Sequence, residues 1–124
     1  MEIMNFYLDE IDRPSWNRTE SSMILVSYLI RHPEIISKTA KFQEIEFTIV
    51  TTGKPGDHRR VDVVFEDDYN IYFVECENKR YRYESDLIEG MKTKLEECEN
   101  KFLNEYEGNK KIQLILAIIS KRRL

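Results

Sequence analysis

Three features of this sequence predict an α/β domain built on a mixed central sheet flanked by helices. Residues 42–50 alternate with period two, residues 87–106 repeat apolar side chains at helical spacing, and residues 112–119 form a nearly unbroken apolar run of strand length. With one more helix and two more strands, the predicted order is helix, three strands, helix, strand.

The first helix lies between Pro14 and Pro33. Asn17 stands as its N-cap and Glu20 at the third helical position, a variant of the capping box. Its body, Met23-Ile24-Leu25-Val26 followed by Tyr28-Leu29-Ile30, is apolar on nearly every side. Such a helix needs cover on more than one face, from the sheet and from a second subunit. Pro33 ends it.

In residues 42–50, Ile45, Phe47 and Ile49 alternate with Glu44, Glu46 and Thr48, as in a half-buried strand. Residues 51–57, TTGKPGD, are loop chemistry. Residues 61–65 and 71–77 are two further strands joined by the polar stretch 66–70, which is of hairpin length, so an antiparallel pair is expected. After a polar connection over 78–85, Leu87, Ile88, Met91, Leu95, Cys98, Phe102 and Tyr106 make one apolar helical stripe, with Gly108 as its stop. Residues 112–119 then read as a strand buried on both faces.

The chain has 124 residues, 41% of them apolar and 34% charged, with four Gly and three Pro. That composition suits an ordered globular protein and one domain over residues 1–124, and is too short for a two-domain enzyme with an organic cofactor. Cys76 and Cys98 form no C-x-x-C pair, which argues against a disulfide framework or a zinc finger and for a reducing cytoplasm. The acidic N-terminus does not read as a signal peptide. The longest apolar runs, residues 23–30 and 112–119, fall well short of the roughly 20 residues that span a bilayer, so a protein with no membrane partner is expected.

Net charge is −4, unlike a domain that coats nucleic acid through bulk charge. Basic residues nevertheless cluster at His58-Arg59-Arg60, at Lys79-Arg80-Tyr81-Arg82 and at Lys121-Arg122-Arg123. A local positive face is compatible with that distribution.

The unusual feature is acid placed in two neighbouring strands that are otherwise apolar: Asp62 in RVDVVF, then Glu75 and Glu77 in YFVECE. Side chains two apart share a face of a strand, so Glu75 and Glu77 project together, and a hairpin closed near residues 67–70 brings Asp62 to their level. Converging carboxylates repel unless a cation compensates them or one is protonated. Oxygen-only ligands select Mg²⁺ or Mn²⁺, and such an ion activates water for attack on a phosphodiester. The plainer reading of the same acids is a solvated sheet face.

Asp62, an apolar strand and then Glu75-Cys76-Glu77-Asn78-Lys79, set in this order of elements, resemble the PD-(D/E)xK nuclease superfamily with its restriction-endonuclease-like core. The small archaeal Holliday junction resolvases are the nearest in shape. The likeness runs from about Asn17 to Ile119 and implies that Asp62 and Glu75 hold the divalent metal. Val61 stands where the family has Pro, and Glu77 where it has Lys. Some restriction enzymes of the superfamily end in E-x-E, which would make Glu77 a general base or a third metal ligand. The cation that assists is then Lys79, or Lys94 beside the apolar stripe of the second long helix. Glu20 resembles the first-helix glutamate that many members aim at the metal.

The resemblance implies a metal-dependent endodeoxyribonuclease acting on branched or structured DNA, working as a homodimer. Arg59, Arg60, Arg80 and Arg82 would neutralise phosphates, with Tyr81 or Tyr83 stacking on an exposed base. The alternatives are a catalytically inactive domain of the same fold that binds DNA or a protein, and a small interaction protein of a toxin–antitoxin or regulatory type whose strand acids are merely solvated. Cys76 alternates away from Glu75 and reads as packing. His32 and His58 read as helix-end and loop residues.

Overall fold

The computed structural model describes residues 1–11, 21–50, 58–78 and 84–120. Strand β1 spans Glu2–Tyr7, helix α1 Ser21–Arg31, strands β2 Lys41–Val50, β3 His58–Glu66 and β4 Asn70–Asn78, helix α2 Glu84–Glu105, and strand β5 Lys111–Ser120. Short 3-10 turns at Leu8–Glu10 and Pro33–Ile35 follow β1 and α1. The five strands form one mixed sheet in the order β1-β5-β4-β3-β2. β5 runs parallel to both β1 and β4, while β2, β3 and β4 are antiparallel neighbours.

The helices cover opposite faces. Leu25 and Leu29 of α1 pack with Val63, Phe65, Val74, Cys76, Ile115, Ala117 and Ile119. On the other face Leu95 and Cys98 of α2 pack with Val61, Val64, Ile71 and Phe73, and Leu87 packs with Leu116 and Ile118. Ile115 to Ile119 are all buried and divide between the two faces by parity, as the apolar run in 112–119 requires.

After β1, the order helix, three strands, helix, strand is the one the sequence predicts. β1 itself is an addition, parallel to β5 from Glu2 opposite Ile115 to Tyr7 opposite Ser120. It also changes how α1 is covered. Met4 and Phe6 pack into the cluster around Leu25 and Leu29, with the Phe6 ring edge-on to Tyr28 at 6.3 Å. Much of the apolar surplus on α1 is therefore taken up within the chain, leaving Met23 as its exposed large hydrophobic residue among those described. The Asn17 cap and Glu20 lie outside the described residues.

β2 departs from the simple half-buried strand. Ile45 is 47% exposed, and the strand is the sheet's edge. Ile45 stands opposite Val63, which faces α1, whereas Phe47 stands opposite Val61 and packs on the α2 face. The period-two pattern thus slips between positions 45 and 47. Glu46, which lies between them, has φ of 49°, the left-handed region that L side chains seldom adopt. The same slip occurs in β3 between Val61 and Val63, at Asp62.

The hairpin end opposite Asp62 is tightly built. Asp67 accepts hydrogen bonds from the amides of Tyr69 and Asn70, from Ser37 Oγ and from Tyr72 Oη. Lys110 pairs with Glu66 beside it. Among the described residues no helix is long and apolar enough to cross a membrane.

Candidate functional site

The ladder between β3 and β4 runs from Glu66 opposite Ile71 to Val63 opposite Val74 and stops there. Beyond that point β3 stays with β2 as far as His58 opposite Val50, and β4 stays with β5 as far as Asn78 opposite Ile119. The next pair in register is Asp62 and Glu75. Where two strands part, their backbone amides lose partners and must find others. Here the two carboxylates supply them.

The Asp62 amide donates to Glu75 Oε1 at 3.0 Å, and the Cys76 amide donates to Asp62 Oδ2 at 2.8 Å. Each acid accepts from the other strand. Sequence alternation explains the placement: Val74 and Cys76 enter the core under α1, so Phe73, Glu75 and Glu77 turn to the face under α2.

Helix α2 brings the third group. Leu87, Met91, Lys94 and Cys98 follow one another at steps of four, three and four residues, so they share one helical face. Lys94 Nζ lies 2.9 Å from Glu75 Oε2. The Glu75 side chain is 1% exposed and that of Lys94 is 28% exposed, so the pair reaches from the buried sheet face to the surface.

The electrostatics follow from burial. Desolvation, reinforced by the nearby Asp62 charge, raises the Glu75 carboxyl to about 7, against the opposing hydrogen bond and charge of Lys94. Desolvation pulls the Lys94 ammonium down, but its hydrogen bond to Glu75 and the charges of Glu75 and Asp62 outweigh that and raise it. Glu75 and Lys94 therefore each hold a proton more firmly than in isolation. The Cys76 thiol is pushed up by burial and by three neighbouring acids, Asp62, Glu75 and Glu77. It is a packed, protonated thiol, in line with the packing role the sequence suggests.

Of the predicted site residues, the fold brings together Asp62, Glu75 and Lys94. Glu77 is partly exposed and lies two residues farther along β4. It does not complete a three-carboxylate cluster: among the described residues no group of three or more His, Cys, Asp or Glu side chains is arranged to hold a metal ion. Arg60 is exposed on β3, two residues before Asp62. Arg59 is on β3 opposite Ile49. Lys79, Arg80 and Arg82, with Tyr81 and Tyr83, lie outside the described residues, as does Glu20.

The donor set suits a hard divalent ion. Mg²⁺ is commonly held by one or two carboxylates while keeping several waters, and Asp62 with Glu75 supplies two carboxylates and no nitrogen or sulfur. The backbone amides that bind these acids were not foreseeable from residue types. They depend on where the β3–β4 ladder ends, which period-two alternation does not encode.

No family model, no curated protein and no solved structure matches this chain.

Proposed function

We propose that this chain is a metal-dependent endonuclease with a restriction-endonuclease-like core of the PD-(D/E)xK type, hydrolysing phosphodiester bonds in branched or structured DNA. The observation that carries the reading is the meeting of Asp62, Glu75 and Lys94 where β3 and β4 separate. Two acids on adjacent strands and a lysine from the covering helix reproduce the acid–acid–lysine chemistry with the lysine supplied from α2. The order of elements from α1 to β5 supports the same reading.

In this proposal Asp62 and Glu75 hold Mg²⁺ or Mn²⁺. The ion, when bound, supplies charge neutralisation at phosphorus and an acidified water. Asp62 and Glu75 fix its position through the backbone amides that hold their own orientation. Lys94, whose amine lies on Glu75 and whose side chain is partly exposed, would stabilise charge on the phosphate or position water. Arg60 lies exposed on β3 two residues before Asp62, which supports contact with a polyanion there. A homodimer would present two such sites to one junction.

A second reading rests on one observation: both oxygens of Glu75 already have donors within the chain. A buried pair satisfied in this way also suits an inactive domain of the same fold that binds DNA or protein. Cleavage separates the two. Labelled four-way junction, nicked duplex and single strand are incubated with Mg²⁺ or Mn²⁺ and either wild type or Asp62→Ala. Metal-dependent cutting that is lost in the variant is expected, whereas no cutting by wild type on any substrate supports the binding domain.

A further inference from the structure

Lys94 supplies a positive charge at Glu75. Its ammonium is 2.9 Å from Glu75 Oε2, and Glu75 is 1% exposed while the lysine is 28% exposed. A buried carboxylate next to a second one needs a positive charge beside it, and among the described residues Lys94 is the cation in contact with the pair, through Glu75. The remaining Glu75 oxygen is engaged by the Asp62 amide.

We infer that Lys94 is the resident counter-cation of the site and that it gives up Glu75 to an arriving divalent metal, turning its amine outward. The inference rests on the metal-site reading proposed above. Two cations on one carboxylate repel at short range in a weakly polar environment, so ammonium and metal compete for Glu75. The partial exposure of Lys94 gives its long side chain a route to solvent, which a buried lysine would lack. The exchange keeps the carboxylates compensated in both states.

This role differs from that of a purely structural ion pair in the sign of one measurable effect. A lysine that only braces the site would, on removal, loosen the carboxylates and weaken metal binding. A competing lysine would, on removal, strengthen it.

The experiment measures Mn²⁺ and Mg²⁺ binding by calorimetry on wild type and Lys94→Met, with Lys94→Arg as the variant that keeps the charge. The expected result is metal binding by wild type, roughly tenfold or greater tightening in Lys94→Met, and near wild-type affinity in Lys94→Arg. A second readout uses wild type alone and survives a variant that does not fold. Amine acylation followed by mass spectrometry should show Lys94 labelling rise several-fold on adding metal, with exposed Lys92 as the internal reference. Metal binding that is unchanged or weaker in Lys94→Met, or Lys94 labelling that does not rise when metal binds, overturns the exchange and leaves the metal site standing. Absence of metal binding by wild type overturns both.

Discussion

The ammonium of Lys94 lies 2.9 Å from the Glu75 carboxylate, linking the middle of α2 to the buried face of β4. Glu75 is therefore a fold contact and a site residue at once, and substitutions there must separate the two. Glu75→Gln keeps the shape but leaves one oxygen to serve two donors, so it loses one of the two hydrogen bonds, at a cost of about 1–2 kcal/mol. Glu75→Leu strands both donors, the Asp62 amide and Lys94, and should cost roughly 3 kcal/mol or more. Urea unfolding of the two variants against wild type checks the ranking.

The raised Glu75 carboxyl sets a pH dependence. Its folded value of about 7 stands above the ordinary 4.5, so the native state holds a proton that the unfolded chain releases earlier. Stability from this group is fully present below about pH 4.5 and declines as pH rises toward 7. Unfolding midpoints between pH 4.5 and 8 in metal-free buffer should fall for wild type and stay flatter for Glu75→Gln. A metal that requires the ionised carboxylate should bind more weakly as pH drops through the same window.

Asp67 behaves in the opposite sense. The Tyr72 hydroxyl leads a group of donors, with Tyr69, Ser37 and Asn70, that hold its carboxyl well below the usual range. Its contribution is present above about pH 4 and is lost as pH falls below the ordinary carboxylate value. Asp67→Asn should lower stability near neutrality by about 1–2 kcal/mol and make acid unfolding below pH 4 shallower, both readable by circular dichroism.

Much of the architecture is legible in residue order. Val74 and Cys76 alternate with Phe73 and Glu75, which sets Glu75 on the sheet face opposite Val74 and Cys76, the face that α2 covers. Residues 115–119 announce a strand buried on both faces by leaving no polar position. β1 escapes the same reading because Glu2 and Asn5 interrupt its six residues and its parallel partner is more than a hundred residues away in sequence. Lys94 was legible as one of two competing lysines. Its step of three from Met91 and four to Cys98 places it on the apolar stripe, which is the signal that favours it. The slip of alternation at Glu46 and Asp62 has no counterpart in the apolar pattern, because Ile45 and Phe47 look alike as core residues in sequence.

That slip carries its own test. A non-glycine residue at φ of 49° stores about 1 kcal/mol, which glycine relieves. Glu46 is exposed, so Glu46→Gly should be neutral to stabilising by up to about 1 kcal/mol, as judged from the urea midpoint. A marked loss would mean that the Glu46 side chain contributes more than its backbone costs.

Gly108 is explained by close approach. A Cβ there would run into the Tyr106 ring, which is stacked on Phe102 at 4.9 Å and whose hydroxyl accepts from the Lys110 amide. Gly108→Ala should displace that ring and cost about 1–3 kcal/mol, with the Tyr106 ring resonances shifting in the folded state.

The most direct test of the site is single-turnover cleavage of a labelled four-way junction in Mg²⁺, comparing wild type with the near-isosteric Asp62→Asn and Glu75→Gln after circular dichroism shows all three folded. Metal-dependent cutting by wild type and a loss of at least about a hundredfold in each variant are the expected outcome, since each substitution removes a negative ligand. Wild-type cutting that persists in either folded variant would contradict it.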